Sequence, residues 1–214
     1  MTIWGYLQRR WGTVLELTIE HIVLVAVSVT IAVVTGVFLG TLVYRNNRAT
    51  ALLLNVTNGL FTVPALAYFT VLVALVGLGW APSIIVLAIY ALLPIVRNTV
   101  TGLREVNPAI VKAATGMGMG RIQLVTRIHL PLAWPVILAG IRVGAVLTVG
   151  IAAVAAYISG PGLGREIFGG LAALRSARAV PQAVVGTVGI IFVALLIDAF
   201  LVLVGKLTTA KEIR

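Results

Sequence analysis

Five long apolar stretches organise the 214-residue chain, near 22–43, 52–76, 82–101, 134–158 and 182–205. Each is close to the ~20 residues that an α-helix needs to cross a hydrocarbon core of about 30 Å. None alternates like a barrel strand, and an unpaired backbone group in hydrocarbon costs several kcal/mol, so all five are expected to be helices. Residues 1–20 read differently, because Trp4, Tyr6 and Trp11 beside Arg9 and Arg10 have the makeup of an interfacial amphipathic helix. The expected organisation is therefore an interfacial helix over 1–20, one transmembrane domain over 21–205 and a tail over 206–214. Two longer loops interrupt the spans, at 102–133 and 159–181, and the glycines and length of the second suggest a folded re-entrant or surface element.

Composition reinforces this all-α membrane reading: 60% of residues are hydrophobic and 10% charged, outside the range of soluble domains. The formal charge of +10 raises the question of nucleic acid, but the basic residues sit in short connectors with no basic face and no interleaved aromatics. The positive-inside rule accounts for them better. Arg45, Arg48, Arg97, Arg104, Lys112, Arg121, Arg127, Lys206, Lys211 and Arg214 fall on one side, against Arg9, Arg10, Arg165, Arg175 and Arg178 on the other. The N-terminus is then expected outside and the C-terminus in the cytoplasm, with the arginines of loop 159–181 running against the trend. Glu16 and Glu20 follow the first arginines and no small-residue cleavage site closes the run, so the first apolar stretch is expected to remain in the membrane. No cysteine is present, which removes disulfide and thiolate chemistry. Five spans do not divide into two inverted halves, so a complete pathway is expected to need a second copy of this chain or a relative.

The polar interruption from Arg97 to Leu132 has internal structure. Asn107 suits an N-cap and Pro108 the first helical position, where its missing N–H matters least. Ala109–Thr115 then allows about two turns, Gly116, Gly118 and Gly120 permit a sharp bend, and Arg121–His129 resumes a helical pattern with Ile122, Val125 and Ile128 on one side. Pro131 and Pro135 are expected to break or kink the return into the membrane. Within this hairpin, Lys112-Ala113-Ala114, Gly118 and Ile128-His129-Leu130-Pro131 resemble, at matching spacing, the EAA loop of binding-protein-dependent ABC importer permeases. The wider passages Asn107-Pro108-Ala109, Leu130 to Ile137, Leu17-Thr18-Ile19-Glu20-His21 and Gly160-Pro161-Gly162-Leu163-Gly164 are similar to the glycine betaine, carnitine and choline permeases of that class.

The resemblance implies a five-helix, MetI-like type I importer fold whose hairpin is a coupling helix seated in a cytoplasmic ATPase subunit. It implies two such ATPase subunits carrying ATP and Mg, a second permease and an extracytoplasmic binding protein as partners, with no cofactor or metal on this chain and no enzymatic activity of its own. Coupling would fall to Lys112, Ala113, Ala114, Gly118, Ile128, Leu130 and Pro131. Lys112 departs from the pattern, since that position usually holds Glu, and a salt bridge from it to a basic ATPase residue cannot form here.

Other chemistry finds little support. The runs Gly116–Gly120 and Gly160–Gly164 lack the Gly-Lys-Ser/Thr and preceding strand of a phosphate loop. His21 and His129, the two histidines, fall near opposite faces and cannot share a metal. Arg142 and Asp198 lie deepest in apolar runs, each about seven residues from the cytoplasmic end, roughly 10 Å at helical rise, and so can meet as a structural pair or in a gating or substrate role. A quaternary ammonium is best held by aromatic faces. Phe61, Tyr68, Phe69, Tyr90 and Tyr157, with Asn58 and Asn98, are candidates for a translocation path, and core packing or lipid contact is the alternative for each. An importer of amino acids or other small amines remains open, as do a channel and a membrane enzyme.

Overall fold

A computed structural model describes residues 2–209. Met1 and 210–214, including Lys211, Arg214 and most of the expected tail, lie outside the described residues. Among those described, all regular structure is helical. The order is α1 (Ile3–Val43), α2 (Asn47–Thr62), α3 (Ala65–Val76), α4 (Trp80–Arg104), α5 (Pro108–Gly116), α6 (Arg121–Leu124), a π turn (Val125–His129), α7 (Leu130–Val154), a 3₁₀ turn (Ala155–Ile158), α8 (Gly164–Ala172) and α9 (Ala179–Thr208).

Four helices are long and apolar enough to cross a membrane: Ile3–Val43, Trp80–Arg104, Arg121–Ile158 and Ala179–Thr208. Helices α2 and α3 are apolar enough as a pair but meet at 91°, the geometry of a broken span or a re-entrant loop, and make a fifth candidate span if counted as one. Four of the five expected spans are single helices, and the expected span 52–76 corresponds to this bent pair. Pro64 explains where the bend falls: it lacks an amide to donate and disfavours helical geometry at the residue before it, and Val63 is extended at ψ 129°.

Residues 1–20 do not form a separate interfacial helix but the first half of the 41-residue α1. Nothing stops the helix, because the polar residues at its middle find partners in loop 159–163 and α7–α8. Glu20 accepts from the Gly162 amide (3.0 Å) and lies 3.6 Å from Arg165, while the fully buried His21 ring meets the Val149 carbonyl at 3.1 Å. Near the start of α1, the Tyr6 hydroxyl donates to Glu166, a carboxylate only 2% exposed with Arg10 at 3.7 Å. Loop 159–181 is accordingly a folded element, with α8 locked to the start of α1.

The centre of the bundle is the contact of α4 with α7, flanked by α1. Leu87, Ala91 and Ile95 on α4 and Ile137, Ile141, Ala145 and Val149 on α7 are buried in it, with Leu24, Val25 and Ala32 from α1. Gly140 permits the close approach: a Cβ there would fall 2.6 Å from the Pro94 carbonyl and 2.6 Å from the Asn98 Cβ. Helix α9 packs on α7 and α1 but leaves most of its surface open, with Phe192, Leu195 and Phe200 exposed. Such a helix faces lipid or another subunit.

Arg142 on α7 and Asp198 on α9 form a forked pair, with Nη2 to the two carboxylate oxygens at 2.8 and 3.0 Å and Nε to Oδ1 at 3.0 Å. Each charge alone costs about 2.5–3.5 kcal/mol at the centre of an inserted helix, so each stabilises the other's presence. Two outcomes are expected from these contacts. Gly140→Ala forces α4 and α7 apart and lowers the thermal midpoint of the purified protein, by an amount consistent with an overpacking cost of about 1–3 kcal/mol. Single reversals Arg142→Asp or Asp198→Arg reduce membrane yield and transport, and the double exchange restores both; a double exchange no better than either single change would show that the contact contributes nothing.

Candidate functional site

The loop 102–133 folds as two arms around a bend. Asn107 caps α5 by accepting from the Ala109 amide at 2.9 Å, and Pro108 occupies its first turn. The arm ends in a paired closure: Met119 N donates to Ala114 O (3.2 Å) and Gly118 N to Thr115 O (2.9 Å), with Gly118 left-handed at φ 85°. This is the Schellman arrangement, which satisfies the last carbonyls and calls for glycine at that position. A Cβ on Gly118 would meet nothing within 4 Å, so backbone conformation, not crowding within this chain, is what requires glycine.

Of the break or kink expected at Pro131, the second arm shows no break, and it continues into the membrane through a local widening of the helix. Pro131 cannot donate to the carbonyl one turn back, and the backbone widens just before it: Leu130 N reaches back five residues to Val125 O. The π turn at Val125–His129 absorbs the proline, and Arg121–Ile158 reads as one 38-residue rod. The buried side of this arm also differs from the expected Ile122, Val125, Ile128 set. Leu124 and His129 are buried, Val125 and Ile128 are half-buried, and Ile122 is 79% exposed, because the π turn shifts the register of the inward face.

Of the coupling-motif residues, Ala114 is buried against the second arm, whereas Lys112, Ala113 and Gly118 are exposed together with Ile110, Met117 and Ile122. Leu130 is half-buried and packs on the core, and Pro131 is exposed in the first turn of α7. Behind the hairpin, His129 fastens it to the bundle. Its ring stands edge-on to Tyr44 at 5.3 Å, and Nδ1 lies 3.3 Å from the Leu103 carbonyl. Arg104 completes the joint by donating to the Tyr44 carbonyl (2.8 Å), Asn47 (3.0 Å) and Thr50 (3.0 Å). Sequence reasoning missed Tyr44 and Arg104, which look like ordinary interfacial residues until α1 and α4 end side by side. Lys112 lines a cleft of ≈ 460 Å³ with Arg45, Arg104 and His129, and among the described residues no acid lines it.

The candidate path residues separate into groups. Phe61, Tyr68 and Tyr90 converge at the break between α2 and α3, with ring centroids 5.5 Å (Phe61–Tyr90) and 6.1 Å (Tyr68–Tyr90) apart, both edge-on. The Tyr90 hydroxyl donates to Val63 O and the Tyr68 hydroxyl to Leu60 O (2.8 Å), carbonyls at the end of α2. Asn58 accepts from Arg97 at 3.2 Å. Asn98 turns back on its own helix, donating to Pro94 O at 2.9 Å, and Phe69 is core at 1% exposure. Tyr157 lies in the 3₁₀ turn after α7, edge-on to Phe168 at 4.8 Å. Among the described residues no three of His, Cys, Asp and Glu gather into a metal site.

This architecture has close relatives. Over 207 residues the chain is 36% identical to the choline transport system permease protein OpuBB of Bacillus subtilis, covering 96% of this chain and 93% of that one. It is 32% identical over 210 residues to the glycine betaine/carnitine/choline transport system permease protein OpuCB of the same organism, covering 98% and 94%. Over 146 residues, 68% of this chain, it is 42% identical to the ergothioneine transport permease/ergothioneine binding protein EgtU of Helicobacter pylori, a longer protein of which the match covers 26%. Among solved structures, a chain of the MetNI methionine ABC transporter in an inward-facing conformation superposes with a TM-score of 0.79 at 18% identity, covering 94% of this chain and 99% of that one. That likeness shows a shared fold. Residues 32–209, from the middle of α1 to the end of α9, match the description "Binding-protein-dependent transport system inner membrane component", and with the relatives just described this places the chain in that family of ABC importer permeases.

Proposed function

We propose that this chain is the permease subunit of an ATP-driven bacterial importer for quaternary-amine osmoprotectants, the glycine betaine, carnitine and choline class. It sits in the cytoplasmic membrane with its N-terminus outside and its hairpin and C-terminus inside. The substrate class rests on relatives named for choline and for glycine betaine, carnitine and choline transport. Two ATPase subunits carry ATP and Mg, an extracytoplasmic protein delivers substrate, and a second permease copy or relative completes the path. The chain itself is not an enzyme.

The observation that carries the mechanism is the continuity of the hairpin with the span behind it. An ATPase cleft that receives the exposed face of α5 and the bend would push on a rod that runs unbroken through α7. The His129–Tyr44 contact and the Arg104 hydrogen bonds tie the same push to the ends of α1 and α4. Rigid packing of this kind transmits displacement instead of dissipating it. Lys112, in a cleft with two arginines and, among the described residues, no acid, is suited to an acidic residue on the ATPase and not to the basic one that a Glu at this position would meet.

Gly118 is the place to test docking apart from folding, because asparagine adopts left-handed backbone at low cost. Gly118→Asn and Gly118→Asp are each expected to reduce substrate-stimulated ATP hydrolysis by the purified complex at least tenfold with little change in thermal midpoint, and Lys112→Glu to reduce it less. Full coupling in Gly118→Asn would mean that the bend is not a docking surface. For the complex reconstituted in vesicles, uptake of labelled glycine betaine is expected only with ATP on the hairpin side; uptake indifferent to ATP would remove the importer reading.

A further inference from the structure

Arg97 is an exposed cation within the candidate span Trp80–Arg104. Its one hydrogen-bond partner among the described residues is the neutral Asn58 side chain. Glu20, Glu166 and Asp198 are engaged with Arg165, Arg10 and Arg142, and among the described residues neither Glu16, in the first half of α1, nor Glu105, at the end of α4, makes an ion pair. An ionisable residue at this depth faces water or a partner, and marks a substrate or ion pathway unless it is structurally paired. Among the described residues Arg97 has no such pairing.

What lies beside it has complementary chemistry. Tyr90 precedes Arg97 by seven residues, two helical turns, so the two share a face of α4 about 10 Å apart. That face looks onto α2, where Asn58 and Phe61 are one turn apart, and Phe61, Tyr68 and Tyr90 meet where α2 gives way to α3. Both tyrosine hydroxyls are committed to backbone carbonyls, which fixes the rings and leaves their π faces as what they offer a ligand. Phe61 and Tyr68 are half-buried, Val63 and Arg97 exposed and Tyr90 buried behind them, so the surface at the break is open on the single subunit at Phe61, Tyr68 and Arg97. A helix broken at membrane depth is tolerated where it lines a cavity, and in other transporter folds such breaks hold the substrate.

We propose that the break between α2 and α3 is a substrate station for a zwitterion: the half-buried Phe61 and Tyr68 rings, backed by the buried Tyr90, take the quaternary ammonium through their π faces, and Arg97, oriented by Asn58, takes the carboxylate as a charge-assisted hydrogen-bond donor. This rests on the osmoprotectant reading and adds a residue-level preference. Glycine betaine and carnitine carry both groups, whereas choline carries only the cation, so Arg97 acts on the first two and not on the third.

The test is the initial rate of uptake of labelled glycine betaine and of labelled choline by the complete complex in vesicles, with each variant normalised to the unaltered complex for the same substrate so that selection by the binding protein cancels. Arg97→Gln is expected to lower glycine betaine uptake tenfold or more and to leave choline uptake within twofold. Arg97→Lys, which keeps the charge, retains most glycine betaine uptake, and Phe61→Leu lowers uptake of both substrates at least fivefold. Equal losses for both substrates in Arg97→Gln, equal losses of glycine betaine in Arg97→Gln and Arg97→Lys, or no loss in Phe61→Leu would overturn the station. An unaltered complex that carries choline alone would overturn the role of Arg97, and one that carries neither substrate would overturn the osmoprotectant reading itself.

Discussion

Pro131 takes one amide out of the helical ladder at the point where the polar hairpin meets the membrane, and the chain answers by widening into a π turn instead of breaking. Much of the functional architecture depends on that response. A break would have left the hairpin on a flexible tether, able to dock on a partner but unable to move anything. With the turn in place, Arg121–Ile158 is one rod, and the register shift that the turn introduces brings His129 inward against Tyr44 and the Leu103 carbonyl. The same local irregularity therefore makes the arm continuous and attaches it to α1 and α4.

The opposite end of the bundle is held by different chemistry. There a buried carboxylate, Glu166, gathers the Tyr6 hydroxyl and Arg10, and Glu20 takes the Gly162 amide and Arg165. Both are contacts between the first helix and the loop–α8 segment far along the chain, so α8 and the turn before it are fixed to α1 without a large apolar surface. Buried polar groups that are fully partnered hold a unique geometry well, since any slippage leaves them unsatisfied. The bundle is thus polar-locked at one end, ring-and-guanidinium-locked at the other and mainly apolar between, where the Arg142–Asp198 pair is the exception among the described ion pairs.

The number and order of the spans were legible because hydrocarbon leaves so few choices: about 20 apolar residues read as a helix wherever they occur. The cap at Asn107 and the bend around Gly118 were legible for local reasons, a side-chain acceptor before a proline and a glycine where the backbone must turn left-handed. Features that depend on distant partners were not. Glu20 and His21 look like the end of a surface helix until Gly162, Arg165 and Val149 arrive to satisfy them. Ile122 follows the helical pattern of its neighbours and is nevertheless exposed, because a five-residue turn downstream resets the phase. Pro64 within the second apolar run was a signal for the break there. That Phe61, Tyr68 and Tyr90 would converge on it is a tertiary fact, invisible along the chain.

The hydroxyls of Tyr68 and Tyr90 hold the carbonyls at the end of α2 from two different elements, one from the helix that follows the break and one from α4. A change in the angle between α2 and α3 must re-aim or release these bonds, because each hydroxyl has one proton to give and a carbonyl it lets go needs another donor. The joint should then behave less like a spring than like a ratchet with a few detents, each defined by which carbonyl each hydroxyl grips. Such a joint would give the permease a small set of distinct postures where α2 meets α3, and would make tyrosine, with its one hydroxyl at the end of a stiff ring, the part that counts them.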